Sequence, residues 1–263
     1  MPCYARIARD AAVPMDAPDH HPGVMCGRLE NGRFLTSAGA ALPADQIRFL
    51  PPVCPSKIVC VGRNYAEHAR ELGNEVPAEP LLFLKPPSSL LGHRLAVVRP
   101  RGVETLSYEG ELALVIGRRA SKLSQSEAWS AVAGFTVLND ITARDWQKKD
   151  GQWTRAKGSD TFCPAGPGWV PKEQTRFEDL RIVTRVNGEV RQDAPVTDMI
   201  FSVPRLIEYI TSCMTLAPGD LIATGTPPGV GALQTGDVVT VEIAGVGMLE
   251  NRIEAEADPA EKV

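Results

Sequence analysis

The 263-residue chain is poor in the groups that build the commonest metal sites, with four histidines in all: His20, His21, His68 and His93. Its six cysteines, Cys3, Cys26, Cys54, Cys60, Cys163 and Cys213, are scattered and form no C-x-x-C pair. Zinc sites draw on His and Cys clustered at short spacing, so neither a structural nor a His-rich catalytic zinc is expected. Any metal here is expected to be held by oxygen. The start of the chain, MPCYARIARD, has no secretory apolar core, and a disulfide framework is not expected at this length without one. No run approaches the ~18 to 20 apolar residues of a membrane span. A cytoplasmic protein that binds no membrane is the expectation. Basic residues are not in excess either, with 28 Lys and Arg against 32 Asp and Glu for a net charge of −4. That balance lacks the concentrated basic face of a nucleic-acid binder.

What is present is ordinary for a folded protein: 43% hydrophobic and 23% charged residues, which excludes wholesale disorder. The length predicts one or two domains with a sizeable core. The 23 Gly and 22 Pro are spread along the chain between short β-branched runs. Turn residues at that density predict many short strands with irregular connections. Residues 1–52 are expected to form a small N-terminal unit with a hairpin through Asn31-Gly32. The stiff Pro51-Pro52-Val53-Cys54-Pro55 marks its end, and residues 53–263 form the second unit.

In that second unit, strands are predicted over Lys57–Val61, Leu81–Leu84, Leu95–Val98, Tyr108–Ile116, Phe135–Leu138, Leu221–Ala223, Val238–Ile243 and Met248–Ile253. Asn187-Gly188 predicts a hairpin between Ile182–Val186 and Glu189–Gln192. Helical stretches are predicted over Ala66–Leu72, Ser124–Val132 with a capping box from Ser124 to Glu127, Thr142–Lys149, and Val203–Cys213 with Pro204 in its first turn. The fold class is therefore mainly β with covering helices, an α+β arrangement and not a doubly wound sheet.

Several constellations carry chemistry. Glu109 and Glu111 flank Gly110 at the start of an apolar strand, where residues two apart share a face at roughly 6.5 to 7 Å between Cα atoms. A polar strand end dipping into water is the plain reading; a divalent cation is the sharper one, because hard cations take carboxylate oxygens. Gly110 leaves room for close approach. Asp140 ends another apolar strand, either as a local turn residue or as a third carboxylate for the same ion. Lys157 lies in a predicted turn, solvated in the plain reading, or stabilising developing negative charge beside a metal and an anionic substrate. His68 and Glu71 sit three apart on a helix face, as surface charge pairs or as a base and the carboxylate that orients it. The loop 224–231 has neither the Gly-Lys-Ser/Thr nor the following helix of a phosphate cradle. It reads as a tight turn that offers Thr226 and backbone N–H groups to a carboxylate.

Together, Val61-Gly62-Arg63-Asn64-Tyr65 with His68 and Glu71, Tyr108-Glu109-Gly110-Glu111 and Asn139-Asp140-Ile141-Thr142-Ala143-Arg144-Asp145 resemble motifs of the fumarylacetoacetate hydrolase family. So do Lys157-Gly158-Ser159-Asp160-Thr161-Phe162, Gly166-Pro167 and Pro218-Gly219-Asp220-Leu221-Ile222-Ala223-Thr224-Gly225-Thr226-Pro227. The match runs in order from about residue 55 to residue 253; residues 1–50 resemble the N-terminal region of bacterial members only loosely. The resemblance implies a rolled, mixed β-sheet (a β-roll) with a small N-terminal domain, assembled as a homodimer. It also implies Glu109, Glu111 and Asp140 as ligands of Mg2+ or Mn2+, Lys157 as the active-site lysine, and His68 with Glu71 as a water-activating dyad. Arg63, Tyr65, Arg144, Gln147 and Thr226 are implied to face the substrate, a small 2-oxo acid.

The activity so implied is metal-dependent hydrolysis of a C–C bond in an acylpyruvate-type 2,4-dioxo acid, with a stabilised pyruvate enolate as leaving group. Oxaloacetate decarboxylation and carboxymethyl-hydroxymuconate or hydroxyheptadienedioate isomerisation-decarboxylation are the alternatives within the family. A non-catalytic metal-dependent 2-oxo-acid-binding module is the alternative from another class.

Overall fold

The computed structural model describes residues 3–71 and 73–257. Among these residues no helix is long and apolar enough to cross a membrane. Strands dominate, arranged as a twelve-stranded, a five-stranded and a three-stranded sheet, so the mainly β architecture expected from the turn density forms, with the mixed pairing that the family resemblance implies. Both Asn-Gly signals are two-residue hairpin turns: Glu30 pairs with Arg33, and Val186 with Glu189. In each turn both central residues have positive φ (49° and 72° at Asn31 and Gly32, 52° and 83° at Asn187 and Gly188), which Asn and Gly tolerate best.

The N-terminal strands are continuous with the large sheet. Cys3–Ala8 pairs with Val24–Glu30 on one side and, at Tyr4 opposite Trp169, with Cys163–Pro171 on the other. Two small apolar clusters, one around Val13, Ala17 and Leu50 and one around Ile7, Phe34 and Phe49, serve this region. The main core lies deeper in the chain, where Leu112, Leu114, Phe135 and Val137 meet the buried face of the helix Val203–Cys213.

Four α-helices are present among the described residues: α1 (Ala66–Glu71), α2 (Arg144–Asp150), α3 (Thr154–Gly158) and α4 (Val203–Cys213). The helix predicted to end at Leu72 is described only to Glu71, and Leu72 lies outside the described residues. The helix predicted over Ser124–Val132 does not form. The Glu127 carboxylate does accept the Ser124 N–H at 3.0 Å and its hydroxyl at 2.6 Å, but only a 3-10 turn over Ala128–Ala131 follows. Val132–Asn139 is then claimed as a strand by pairing on both sides, with Gly110–Ile116 and with Cys163–Pro171. The helix predicted from Thr142 starts two residues late, because Thr142–Ala143 first pairs with Leu106–Ser107. The nine-residue strand Cys163–Pro171 carries three prolines and two glycines and is invisible to local propensity. Partners on both flanks impose it.

Candidate active site

The stretch predicted as one strand from Tyr108 to Ile116 is broken at Glu109. Leu106–Tyr108 belongs to the three-stranded sheet, paired with Thr142–Ala143 and Gly231–Leu233. Gly110–Ile116 belongs to the large sheet, between Val132–Asn139 and Leu221–Ala223. Glu109 therefore sits where the chain passes from one sheet to the other, and the two glutamates do not share one uninterrupted strand. The break is secured locally: the Glu109 N–H donates to Asn139 Oδ1 at 2.9 Å, and the Glu109 carbonyl accepts the Asp140 N–H at 2.8 Å. These bonds bring Asp140 beside the glutamates. Gly110 is needed because a Cβ there would stand 2.1 Å from Thr184 Oγ1. The close approach foreseen for this glycine is to the neighbouring sheet.

Carboxylate oxygens of Glu109, Glu111 and Asp140 lie within 4.8 Å of one another, and all three residues are buried. Cations converge on them. Lys157 Nζ donates to Glu109 Oε2 and to Asp140 Oδ2, both at 2.7 Å. Lys85 Nζ donates to Asp140 Oδ1 at 2.5 Å and to the Ile141 carbonyl at 3.3 Å. The Arg144 guanidinium lies 2.6 Å from Glu109 Oε1 and donates to Gln147 Oε1 at 3.0 Å. Glu111 accepts the Gly225 N–H at 2.8 Å. Lys157 is not in a solvated turn: it lies in the last turn of α3 and is 2% exposed.

The electrostatics differ across the triad. Burial opposes ionisation of Glu109, but Lys157 and Arg144 outweigh it and hold this carboxyl below the usual carboxylate range. Glu111 goes the other way: burial first, then repulsion from Asp140 and Glu109, push its pKa well up. Burial also disfavours the Lys157 ammonium, yet Asp140 and Glu109 more than compensate and raise its pKa. Three buried carboxylates with only oxygen donors facing one another suit a hard divalent cation such as Mg2+ or Mn2+, and Glu109, Glu111 and Asp140 are the residues that would hold it. The added positive charge would also offset the burial and repulsion that raise the Glu111 pKa.

Above the triad opens a cleft of about 410 Å³ that brings together Arg63, His68, Arg144, Gln147, Lys157 and Thr226 around Glu109 and Glu111. Arg63 adopts the left-handed region, with φ 57°. His68 is buried and its pKa is lowered, chiefly by burial against the opposing pull of Glu109 and Glu71. Its Nδ1 lies 3.4 Å from Glu71 Oε2, so the dyad read from the sequence meets in space. Both Glu71 oxygens also accept the Gly229 N–H at 3.1 Å. The loop 224–231 thus does present N–H groups to carboxylates, but to the chain's own Glu111 and Glu71. Thr226 lines the cleft with its hydroxyl already donating to the Gly110 carbonyl at 2.9 Å.

Tyr65 does not line this cleft. It packs in the main core, its hydroxyl has no hydrogen-bond partner among the described residues, and burial pushes its pKa up. A larger cleft, about 1070 Å³, opens beside Tyr4, Arg6 and Trp169 and contains none of the predicted site residues.

Sequence reasoning missed four contributors: Lys85, Phe83, Trp153 and Asn64. Lys85 closes the apolar run Leu81-Leu82-Phe83-Leu84 and is the buried residue of that strand, with Leu81 and Leu84 exposed; a lysine ending an apolar run is the signal in the sequence. Phe83 and Trp153 form an edge-to-face wall of the cleft, 5.3 Å between ring centroids, with Lys157 Nζ 5.1 Å from the Phe83 centroid. Asn64 lies within the Val61–Tyr65 motif; its amide donates to the Thr224 carbonyl at 2.8 Å and its oxygen accepts the Phe201 N–H at 2.8 Å, pinning the base of the 224–231 loop.

Known proteins resemble this chain over most of its length. The mitochondrial oxaloacetate tautomerase FAHD2A of Bos taurus is 42% identical over 251 residues, covering 88% of this chain and 80% of that one. The oxaloacetate tautomerase YisK of Bacillus subtilis is 46% identical over 211 residues, 76% of this chain and 70% of that one. The crystal structure of 2-hydroxyhepta-2,4-diene-1,7-dioate isomerase from Mycobacterium marinum superposes with a TM-score of 0.83 at 38% identity, covering 98% of this chain and all of that one. Residues 57–254 match the model of the fumarylacetoacetate (FAA) hydrolase C-terminal family. That match spans most of the chain, and Glu109, Glu111, Lys157 and His68 meet in one cleft with Asp140 and Glu71 directly behind them: the chain belongs to the fumarylacetoacetate hydrolase family.

Proposed function

We propose that the protein interconverts the keto and enol forms of an oxaloacetate-like 2-oxo dicarboxylic acid, using Mg2+ or Mn2+ held by Glu109, Glu111 and Asp140. The observation that carries this reading is the placement of a buried, neutral imidazole and a charged ammonium on the cleft that covers the triad. When bound, the cation would supply Lewis acidity to the 2-oxo group of the substrate. Glu71 accepts from His68 Nδ1, which leaves Nε2 as the basic nitrogen. Nε2 takes a proton from C3, the C–H electron pair becomes the C2–C3 double bond, and the C2 oxygen gains the negative charge. The Lys157 ammonium stabilises that charge, and return of a proton to oxygen or to C3 gives enol or ketone. Arg63 and Lys148, which also line the cleft, suit the second carboxylate. The names of the two tautomerases support this choice of reaction.

Hydrolysis of an acylpyruvate, the activity placed first on the sequence resemblance, is the second reading. The His68–Glu71 contact favours it, because the same base can take a proton from water. Oxaloacetate enol–keto conversion followed by ultraviolet absorbance, carbon dioxide release from oxaloacetate, and cleavage of acetylpyruvate and fumarylpyruvate are to be measured side by side with Mg2+ and with chelator. The expected result is rapid, chelator-sensitive tautomerisation; fast acylpyruvate cleavage with no tautomerisation establishes the second reading instead. A homodimer, implied by the family resemblance, belongs to the same proposal and is checked by light scattering.

A further inference from the structure

Gln192 lies on Glu189–Pro195, the edge strand of the five-stranded sheet, between exposed Arg191 and exposed Asp193. A long polar side chain there could reach water, yet this one points inward and is 1% exposed. A buried amide is costly unless its donors and acceptor are matched. Gln192 Oε1 accepts the Gly110 N–H at 3.0 Å, and Nε2 donates to Thr226 Oγ1 at 2.7 Å and to the Pro227 carbonyl at 2.8 Å. Thr226 Oγ1 in turn donates to the Gly110 carbonyl at 2.9 Å. The result is a closed ring of three hydrogen bonds around the glycine that separates Glu109 from Glu111.

We propose that Gln192 is a positioning residue, which, by closing this ring, locks the Glu109-Gly110-Glu111 segment to the 224–231 loop and thereby holds the carboxylate triad in metal-binding register. The proposal rests on the metal-centre reading above. Gly110 sits at a passage between sheets, where regular pairing alone does not fix the backbone, and both of its peptide groups are held by side chains instead. The same loop is clipped one residue before Thr226, where Gly225 N–H meets the Glu111 carboxylate, and three residues after it, where Gly229 N–H meets Glu71. Gln192 lines no part of the cleft, so its influence on the metal runs through Gly110 and Thr226.

Titration with Mn2+ in the absence of substrate, followed by calorimetry or electron paramagnetic resonance, tests this. Gln192→Met keeps the side-chain length and removes the amide's own three hydrogen bonds, two of them in the ring; Thr226→Val keeps the shape and opens the ring at its other corner. Each single variant should bind Mn2+ about 10- to 100-fold more weakly than wild type while folded by circular dichroism, as outer-shell partners of metal ligands do. The double variant should be no weaker than the weaker single, because both changes open one ring. Wild-type affinity in a folded Gln192→Met protein, or in Thr226→Val should the first variant not fold, overturns the proposal. So do losses that multiply in the double variant. Loss of thermal stability with unchanged Mn2+ affinity would mean a purely structural role and likewise overturns it. A wild-type protein that takes up no Mn2+ overturns the metal-centre reading itself, a result distinguishable from the others.

Discussion

Replacing His93 with Asn should remove a defined part of the acid sensitivity of this fold. His93 is 6% exposed, packs edge-on against Phe49 at 5.1 Å between ring centroids, and accepts the Glu250 N–H on Nδ1 at 3.1 Å. Protonating Nδ1 would break that hydrogen bond inside an apolar seam between the N-terminal strands and the strand Gly247–Ala255. Burial, reinforced by Arg94, lowers the His93 pKa from 6.5 to about 4. The folded state therefore refuses a proton that the unfolded chain accepts. Above pH 6.5 both states are neutral and the residue adds no pH dependence; as pH falls from 6.5 towards 4, stability is lost. The full gap is worth about 3.4 kcal/mol, of which about 1.8 kcal/mol is lost between pH 7 and pH 5.

In His93→Asn the side-chain oxygen can still accept the Glu250 N–H but does not titrate. The variant should be less stable at neutral pH through lost contact with Phe49. Its deficit should then shrink by about 1.8 kcal/mol between pH 7 and pH 5, since titrations common to both proteins cancel. Equilibrium urea unfolding read by tryptophan fluorescence at a series of pH values measures this. A difference between the two proteins that stays constant within about 0.5 kcal/mol refutes the reasoning.

Three further outcomes are expected. Lys85→Met leaves the buried Asp140 carboxylate without one of its two ammonium partners. A broken buried pair costs about 3–5 kcal/mol, so the melting temperature should fall by about 10 °C; a wild-type melt in calorimetry removes Lys85 from the charge balance. His68→Gln should lower turnover of the preferred 2-oxo acid about 10²- to 10⁴-fold with Mn2+ affinity nearly unchanged, and a wild-type rate returns the dyad to a structural role. Gly110→Ala drives a Cβ to within 2.1 Å of Thr184 Oγ1 and should cost about 1–3 kcal/mol. Adding Thr184→Ala should restore most of that loss in urea unfolding, and an undiminished loss places the clash elsewhere.

The parts legible in the sequence were those governed by neighbours in the chain. Asn31-Gly32 and Asn187-Gly188 set their hairpins because positive φ at two adjacent residues is a local demand. α4 kept its predicted bounds because an amphipathic stripe and Pro204 in the first turn are local too. The helix predicted from Ser124 failed even though its capping contact formed, because the strand beginning at Val132 gains partners on both sides. Tyr65 followed the same rule in the site: its motif position suggested substrate contact, whereas packing placed the ring in the core.

By itself the sequence determined the chemistry available: three acidic side chains in apolar surroundings, a nearby lysine, a His-Glu pair at helical spacing, and His and Cys without the short spacing that zinc sites use. Only the tertiary structure decided how these groups meet. The chain leaves one sheet for another at Glu109, Lys85 arrives at Asp140 from 55 residues away, and Gln192 reaches Gly110 across 82. Side-chain type and short spacing are properties of the chain alone. The pairing of buried charges and amides depends on which distant segments share a low-dielectric interior, where leaving a charge or an amide unmatched is costly.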